Sequence, residues 1–390
     1  TFSMKSKYSD FPILETKKKN YPLFYPYISK KSIKGVGSVL KTRWVGQGPL
    51  VDEFEIKFKN KFAKTNECIA VGAGTDALHL AFLLANIKKG DEVICPVFTC
   101  TATNIPLLYI GAKIKFADID PETMNISINH VEKLVTKKTK AIIFVNYGGI
   151  PCDLEKLNKI KNKHKLLLIQ DAAQSLGSKY KKKDITEYAD FTIFSFQAIK
   201  HITSGDGGAL TFKNKKLLDK SRRLRWFGID RIKKQGGTWE NDIKDIGYKY
   251  QMTDIGARML LDSMEDFHKI KQHRGKIFNV YKKILSKNKQ IKFLDSNNKN
   301  LTNSHWLCTI VVKKKRIKLQ NYLRKLNIET NQVHFRNDRY SIFKKFIKKG
   351  SYPNMDKYEE NYLVIPLHLR ISIKDAIFIG NSINSFFYKK

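Results

Sequence analysis

The stretch Phe194-Ser-Phe-Gln-Ala-Ile-Lys200-His-Ile-Thr-Ser-Gly-Asp-Gly-Gly-Ala-Leu210 determines how the rest of the chain can be arranged. An apolar run ends in it, a short polar turn carries Lys200, and a glycine cluster precedes a second apolar run. This pattern predicts two strands joined by a tight segment, which glycine permits. Lys200 would then lie at the end of a strand, where sites in α/β sheets form.

Lys200 has apolar neighbours, Ala198 and Ile199, on one side. A lysine in a partly apolar pocket loses some of its preference for the charged form, so its amine can attack a carbonyl cofactor. In a chain this rich in lysine, a single lysine is more often a solvated surface charge. The other motifs of the chain therefore decide between the two interpretations.

The composition is that of a folded protein large enough for two domains. The chain has 390 residues, of which 42% are hydrophobic and 24 are phenylalanine. Five cysteines without a CxxC pair argue against a disulfide framework and a zinc site, and predict a reducing, cytoplasmic location. No metal site is expected. No stretch approaches about 18 consecutive apolar residues, so no membrane span is expected.

The net charge of +37 permits nucleic acid, an anionic surface or an anionic small molecule as partner. Only 12 of the 73 basic residues are arginine, and none lies between Arg43 and Arg222. Proteins that read nucleic acids rely on arginine for bidentate contacts, so a nucleic-acid partner is not expected. A positive field that favours an anionic substrate is the preferred interpretation. A non-catalytic basic protein that binds anionic polymers is the alternative.

Apolar runs and helical patterns alternate along the first half of the chain. This alternation predicts a mainly parallel sheet that is covered by helices on both faces. The predicted strands lie at residues 67–71, 92–95, 113–119, 141–146 and 166–170.

The predicted division has three parts. Residues 1–20 form a flexible N-terminal arm, residues 21–258 a large domain, and residues 259–390 a small C-terminal domain. The boundary falls within a long helical stretch, and residues 228–250 are expected to form a loop over the site.

The segment Gly72-Ala-Gly-Thr-Asp76 lies between a predicted strand and a predicted helix. From Gly74 onward, backbone N–H groups at a helix start can cradle an anion, and the Thr75 hydroxyl adds a donor. The alternative is a tight turn that needs glycine for steric reasons alone. Ser195 could direct its hydroxyl to the same anion.

Asp171-Ala-Ala-Gln174 directly follows a predicted buried strand. A buried carboxylate is costly unless it is paired. A cationic ring nitrogen would pair with Asp171, and a helix N-cap is the structural alternative. Gln174 adds a hydrogen-bonding amide.

Together these groups fit one ligand, pyridoxal 5′-phosphate. The glycine turn and Ser195 would hold its phosphate, and Lys200 would bind it as a Schiff base. Asp171 would keep the ring nitrogen protonated, so that the ring serves as an electron sink.

Through these motifs the chain resembles the sugar aminotransferases of the DegT/DnrJ/EryC1/StrS family. The matching segments are 72–77, 171–174 and 194–208, and the resemblance runs from Trp44 to Ile255, more weakly beyond. It implies the α/β fold of PLP-dependent transferases of fold type I, which is aspartate-aminotransferase-like. In that fold, a large domain has a mainly parallel sheet between helices, and a smaller C-terminal domain is α+β.

The resemblance also implies a reaction and an assembly. The 74–75 turn and Ser195 hold the cofactor phosphate, and Lys200 is both the Schiff-base residue and the proton shuttle. The acceptor is a nucleotide-linked keto-sugar, by default an NDP-4-keto-6-deoxyhexose, and glutamate is the amino donor. The protein is a homodimer whose active sites are shared between the subunits. A PLP-dependent sugar dehydratase and a cyclitol aminotransferase are the alternatives within the family.

Two positions depart from the family pattern. Where relatives stack an aromatic side chain on the cofactor ring, this chain has Cys100; either Cys100 packs against the ring or Phe98 takes that place. Where an asparagine of the partner subunit commonly contacts the phosphate, this chain has Lys249. A lysine can still meet a phosphate as a point charge.

The diphosphate of such a sugar needs cationic or N–H partners. The segment 331–339 is the best candidate in the small domain, with His334 and Arg336 foremost. A charged surface loop is the alternative interpretation of this segment.

Overall fold

The computed structural model describes residues 19–231, 242–347 and 351–388. The predicted N-terminal arm lies almost entirely outside the described residues, as does the part of the predicted loop at 232–241. In the described part of the chain, every helix is too short or too polar to span a lipid bilayer.

A seven-stranded sheet forms the centre of the first half of the chain. The strands up to residue 212 are β1 (Glu67–Val71), β2 (Glu92–Pro96), β3 (Lys113–Ala117), β4 (Thr139–Val145), β5 (Leu167–Asp171), β6 (Lys179–Tyr180), β7 (Lys183–Asp184), β8 (Phe191–Ser195) and β9 (Gly208–Phe212). The sheet order is β1-β9-β8-β5-β4-β2-β3. β9 is antiparallel to both of its neighbours, and the other pairs are parallel. The expected α/β fold with a mainly parallel sheet is therefore confirmed.

Helices cover both faces of this sheet. They are α1 (Lys30–Val39), α2 (Pro49–Phe62), α3 (Gly74–Leu84), α4 (Thr101–Tyr109), α5 (Ile128–Leu134), α6 (Leu154–His164), α7 (Leu218–Arg225) and α8 (Asp254–Leu285). Along β1, Cys68 and Ala70 pack into the core under α2, while Ile69 and Val71 pack into the core under α3. This alternation of buried side chains is what a strand covered on both faces requires.

The second half of α8 belongs to a third core in the C-terminal part of the chain. The remaining elements are β10 (Ile291–Phe293), β11 (Leu301–Thr302), β12 (Cys308–Val312), α9 (Arg316–Lys325), α10 (Pro353–Tyr358), β13 (Tyr362–Ile365) and α11 (Ile373–Tyr388). β10, β12 and β13 form an antiparallel sheet. The proposed boundary at residue 258 falls near the start of α8, inside a continuous helix, and the division into domains stays a prediction.

Strand register brings the predicted motifs to one edge of the large sheet. Gly208 pairs with Ser195 on one side and with Val71 on the other. On the neighbouring strand, Asp171 pairs with Ile193. The carboxyl ends of β1, β5 and β8 therefore lie side by side, and the turn that carries Lys200 leaves from the same edge.

Candidate active site

The turn between β1 and α3 lies directly against the ends of β8 and β9. A Cβ atom placed on Gly74 would be 2.9 Å from Cβ of Ser195, and one placed on Gly208 would be 2.5 Å from the carbonyl oxygen of Ala73. Only glycine permits these approaches. No side chain caps the start of α3, so the first N–H groups of this helix and the nearby Ser195 and Thr75 hydroxyls can face an anion.

Asp171 is buried at the end of β5, with 5% of its surface exposed. Its Oδ2 accepts a hydrogen bond from Thr103 Oγ1 at 2.8 Å, and its Oδ1 accepts one from the Ala173 N–H at 3.0 Å. Burial raises the pKa of this carboxyl, while the two hydrogen bonds and the charge of Lys200 oppose that rise. Residues 172–178 form turns rather than a helix, so the N-cap alternative does not apply.

The amine of Lys200 lies in a partly buried position beside an aromatic face. Its Nζ is 4.0 Å from the ring centroid of Trp306. Burial lowers the pKa of Lys200, and electrostatic attraction to Asp171, with a smaller contribution from Cys100, partly offsets this effect. The structure thus brings together the lysine, the aspartate and the cysteine that were predicted as cofactor contacts.

Gln174 is fixed by two partners. Its Oε1 accepts a hydrogen bond from the Gly148 N–H at 2.8 Å, and its Nε2 lies 3.0 Å from Nε2 of His334. Because an amide nitrogen only donates, the imidazole accepts this bond and is neutral. Burial, with the positive charge of Lys200, lowers the pKa of His334 to about 3. His334 therefore lies in the site, but as a neutral side chain that positions Gln174, which does not favour it as a cation for a diphosphate.

Arg336 is almost completely enclosed by carboxylates. Its Nε and Nη2 each donate to Asp338 at 2.7 Å, and its Nη1 donates to Glu359 at 2.9 Å and also to Asp356. The residue is 2% exposed. Because carboxylates accept four hydrogen bonds from this guanidinium, the geometry does not favour Arg336 as a substrate ligand.

Cys100 and Phe98 take different positions. Cys100 is the N-cap of α4 and is exposed. Phe98 is 2% exposed and packs against Tyr147 and Tyr362, with ring centroids 5.2 Å from each. Cys100 is therefore the more open of the two candidates beside Lys200.

Lys249 is exposed on the chain that returns toward α8. Its backbone pairs with Trp226, and its Nζ lies 5.5 Å from the ring centroid of Phe227. The adjacent carbonyl oxygen of Tyr250 accepts a hydrogen bond from the Gly72 N–H at 2.9 Å. Lys249 thus borders the glycine turn of its own chain while its side chain lies over Phe227, and its contact with a partner's cofactor stays a prediction.

Two residues of the site were not predicted from the sequence. Thr103 holds Asp171, and Trp306 forms the wall beside Lys200. Thr103 lies in the first turn of α4, near the strand ends, so the sequence pattern could have placed it at the site. Trp306 lies more than 100 residues from Lys200 in the chain. A lone tryptophan before a strand does not indicate that it will reach the site.

The residues present fit pyridoxal 5′-phosphate. The glycine turn offers uncapped N–H groups, and the buried carboxylate of Asp171 has only neutral hydrogen-bond partners in the described part of the chain. The pKa of the amine opposite is lowered. A mainly parallel sheet with these groups at its carboxyl edge defines the class of PLP-dependent enzymes of fold type I.

Comparison with known proteins identifies the family. Residues 26–384 match the DegT/DnrJ/EryC1/StrS aminotransferase family, and the chain belongs to this family. The GDP-perosamine synthase of Escherichia coli O157:H7 is 31% identical over 378 residues, which cover 95% of this chain and all of that protein. An uncharacterised protein of Methanocaldococcus jannaschii is 33% identical over 374 residues, which cover 93% of this chain and 96% of that protein.

Solved structures agree with this assignment. A sugar aminotransferase of Streptococcus pneumoniae, solved in its PLP form, superposes with a TM-score of 0.89 at 27% identity, over 95% of this chain and 99% of that one. The sugar aminotransferase CalS13 of Micromonospora echinospora gives a TM-score of 0.88 at 25% identity, over 94% and 99% of the two chains. The expected fold type I, the PLP cofactor and the aminotransferase class are therefore confirmed.

Proposed function

We propose that this enzyme moves the amino group of glutamate to the keto group of a nucleotide-linked sugar, by default an NDP-4-keto-6-deoxyhexose. The observation that carries the proposal is that the Lys200 amine and the buried Asp171 carboxylate lie at the same sheet edge, near enough for each charge to affect the other. The similarity to GDP-perosamine synthase over the whole of that protein supports a nucleotide-linked sugar as substrate.

Lys200 has two roles in this proposal. Its Nζ would hold the cofactor covalently, and the cofactor would supply an electron sink for the donor's α-carbon. When it is free, the neutral amine would take a proton from that carbon and, as an ammonium group, would give the proton to a different carbon atom. Burial lowers the pKa of Lys200, which favours the neutral amine that such a base requires.

The other residues orient the cofactor and the proton. Hydrogen bonds from the Thr103 hydroxyl and the Ala173 N–H favour the ionised form of Asp171, which would face the ring nitrogen and stabilise its proton. Gln174 would present its fixed amide, and the N–H groups at the start of α3 would receive the phosphate together with Ser195. Thr75 would add a hydroxyl to this cradle. Cys100 would lie beside the ring.

The proposed assembly is a homodimer in which each active site receives a lysine side chain from the other subunit. The exposed Lys249 would reach the cofactor phosphate of the other subunit, where an ammonium group neutralises part of the phosphate charge. Its position beside the glycine turn of its own chain supports a location close to the subunit boundary.

The first test removes the amine. The wild-type protein reconstituted with pyridoxal 5′-phosphate should show a visible absorption band. Glutamate should bleach this band, because its amino group is transferred to the cofactor. Lys200→Ala should lose both the band and turnover, whereas Lys318→Ala, an exposed lysine on α9, should keep them. A normal band in Lys200→Ala would refute the assignment of the amine.

The second test identifies the acceptor. The glutamate-treated protein is incubated with GDP-, UDP- and dTDP-linked 4-keto-6-deoxy sugars and with a keto-cyclitol, and products are analysed by mass spectrometry. An amino sugar formed from one nucleotide series supports the proposal. Loss of water from the sugar without amino transfer would indicate a dehydratase, and amination of the cyclitol alone would exclude the nucleotide-linked substrate.

A further inference from the structure

The wall beside Lys200 is a single indole ring. Trp306 is 1% exposed, and its ring centroid lies 4.0 Å from Nζ of Lys200. A cation within about 6 Å of the centre of an indole ring is attracted by the negative face of the ring. The distance therefore lies well inside the range of a cation–π interaction.

Trp306 is held in place at three polar atoms. Its Nε1–H donates to the carbonyl oxygen of Ile199 at 3.0 Å, and its backbone N–H donates to that of Gly148 at 2.9 Å. Its own carbonyl oxygen accepts a hydrogen bond from Nη1 of the buried Arg274 at 3.3 Å. The hydrogen bond to Ile199 links the indole to the residue just before Lys200, so that the positions of the ring and the amine are fixed relative to each other.

Aromatic rings complete the support of the indole. Phe24 stacks on it at 5.9 Å with an interplanar angle of 23°, and His334 lies at 6.4 Å with an angle of 21°. A ring fixed by hydrogen bonds and by stacked neighbours presents its face to the amine in one orientation. The indole is therefore a permanent part of the site wall rather than a mobile cover.

Few other groups can stabilise a positive charge on Lys200. Asp171 at the end of β5 has the larger electrostatic effect on it, and Cys100 at the start of α4 has the smaller. His334 faces it as a neutral imidazole, and the pKa of the neighbouring His201 is lowered by burial and by nearby cations, including Lys200. Asp171 is also the partner proposed for the ring nitrogen of the cofactor, so its negative charge would act on both that nitrogen and Lys200.

We propose that Trp306 is a positioning residue for the Lys200 amine, and that its indole face stabilises the ammonium form that this amine takes when it accepts a proton. The inference rests on the proposed role of Lys200. When the amine takes the proton from the donor's α-carbon, it becomes an ammonium ion in a poorly solvated site. The indole face stabilises this ion without forming a hydrogen bond, so the proton can still be given to a different carbon atom.

The test measures how fast the cofactor-free, full-length protein captures pyridoxal 5′-phosphate as the pH changes. Capture requires the neutral amine, so the rate rises with pH and its midpoint reports the pKa of free Lys200. Replacing the indole by an aliphatic side chain removes stabilisation of the ammonium form. Trp306→Leu should therefore move the midpoint down by roughly 0.5–1.5 pH units.

Two variants control this measurement. Trp306→Phe keeps an aromatic face and should stay closer to the wild-type midpoint than Trp306→Leu. Trp44→Leu makes the same chemical change at an indole that stacks with Arg43, outside the site, and should leave the midpoint unchanged. An identical midpoint in Trp306→Leu and wild type would overturn the inference, while a visible band in Lys200→Ala would overturn the proposed function instead.

A second measurement does not depend on the folding of Trp306→Leu. The protein is labelled with 5-fluorotryptophan, and the ¹⁹F resonance of Trp306 is assigned by its loss in Trp306→Phe. In the cofactor-free protein this resonance should shift with pH at the midpoint found for capture, and the shift should vanish in Lys200→Met. A resonance that does not respond to pH, or that responds equally in Lys200→Met, would contradict the contact.

Discussion

Buried polar side chains of the site are held by short chains of hydrogen bonds. The hydroxyl of Thr99 lies 2.8 Å from that of Thr103, which in turn donates to Asp171. Burial raises the pKa of Asp171, and the Ala173 N–H together with the Thr103 hydroxyl favours the ionised carboxylate. The charge that would hold the proton on the ring nitrogen thus depends in part on a threonine hydroxyl.

Removing the Thr103 hydroxyl should weaken catalysis while leaving the cofactor in place. A hydrogen bond to a charged group contributes roughly 1.5–3 kcal/mol, so Thr103→Val should lower kcat/KM by about 10- to 100-fold. The pKa of Asp171 should rise, since the carboxylate loses a donor, and the acid limb of the pH profile should move to higher pH. Thr103→Ser restores the hydroxyl and serves as the control. An unshifted acid limb in Thr103→Val would argue against this role.

Arg336 and Asp171 show how far single residues could be interpreted from the sequence. Asp171 ends a buried strand, as expected, and the need to pair a buried carboxylate marked it in the sequence; its contact with the cofactor stays a prediction. Arg336 looked like a free cation because two of its three carboxylate partners, Asp356 and Glu359, lie 20 or more residues further along the chain. Contacts over that separation depend on the fold and leave no local pattern.

At the scale of elements, the phosphate cradle depends on how closely one turn approaches two strands. Gly208 at the start of β9 permits the approach, because a Cβ there would be 2.7 Å from the backbone nitrogen of Gly74 as well as 2.5 Å from the Ala73 carbonyl oxygen. The atoms in the way are backbone atoms of the cradle itself, which cannot move without changing its shape.

Gly208→Ala should therefore damage cofactor binding and stability together. Overpacking at a tight contact costs about 1–3 kcal/mol, and each 1.4 kcal/mol lost in binding weakens the affinity about tenfold. Urea denaturation of the cofactor-free protein and titration with pyridoxal 5′-phosphate measure the two effects. The matched control is Gly37→Ala in α1, where an added Cβ meets nothing within 4 Å and the helix should gain up to about 1 kcal/mol. Equal affinities in the two variants would contradict the steric argument.

The sequence could predict that the glycine turn and Lys200 lie close together, because the carboxyl ends of parallel strands meet at the same edge of a sheet. The motifs at Gly74, Asp171 and Lys200 each follow a strand, and strand order alone brings them together. Trp306 and His334 enter the same site from the C-terminal part of the chain, on segments whose path depends on the third core. No periodicity before residue 258 indicates where they will lie.

At the scale of the whole molecule, the cradle is near the margin of the large sheet. β1 is an edge strand of the sheet, and the chain around Lys249 and Tyr250 runs beside the turn that follows β1. The side chain of Lys249 lies over Phe227 rather than toward Lys200 of its own chain. This placement suits a residue that acts on a second copy.

Mixing two defective proteins tests whether the site is shared between two subunits. Lys249→Ala should bind the cofactor more weakly, and Lys200→Ala should be inactive. After joint unfolding and refolding, mixed dimers would contain one intact site, and random pairing should restore about a quarter of wild-type activity at limiting cofactor. The same mixture made with Lys318→Ala in place of Lys249→Ala controls for simple dilution. Activity no higher than the sum of the separately refolded proteins would place Lys249 outside the neighbour's site.

The continuity of α8 limits how the enzyme could be cut or bent. This helix of 32 residues is buried against the core under α2 at one end and against the third core at the other. Residue 258 lies near the start of this helix, so a protease would find no extended linker there. A shortened gene ending at residue 258 would remove nearly all of α8 and expose the cores that it covers. Because one continuous helix joins these two cores, we expect any closure around a substrate to come from loops rather than from a hinge at residue 258.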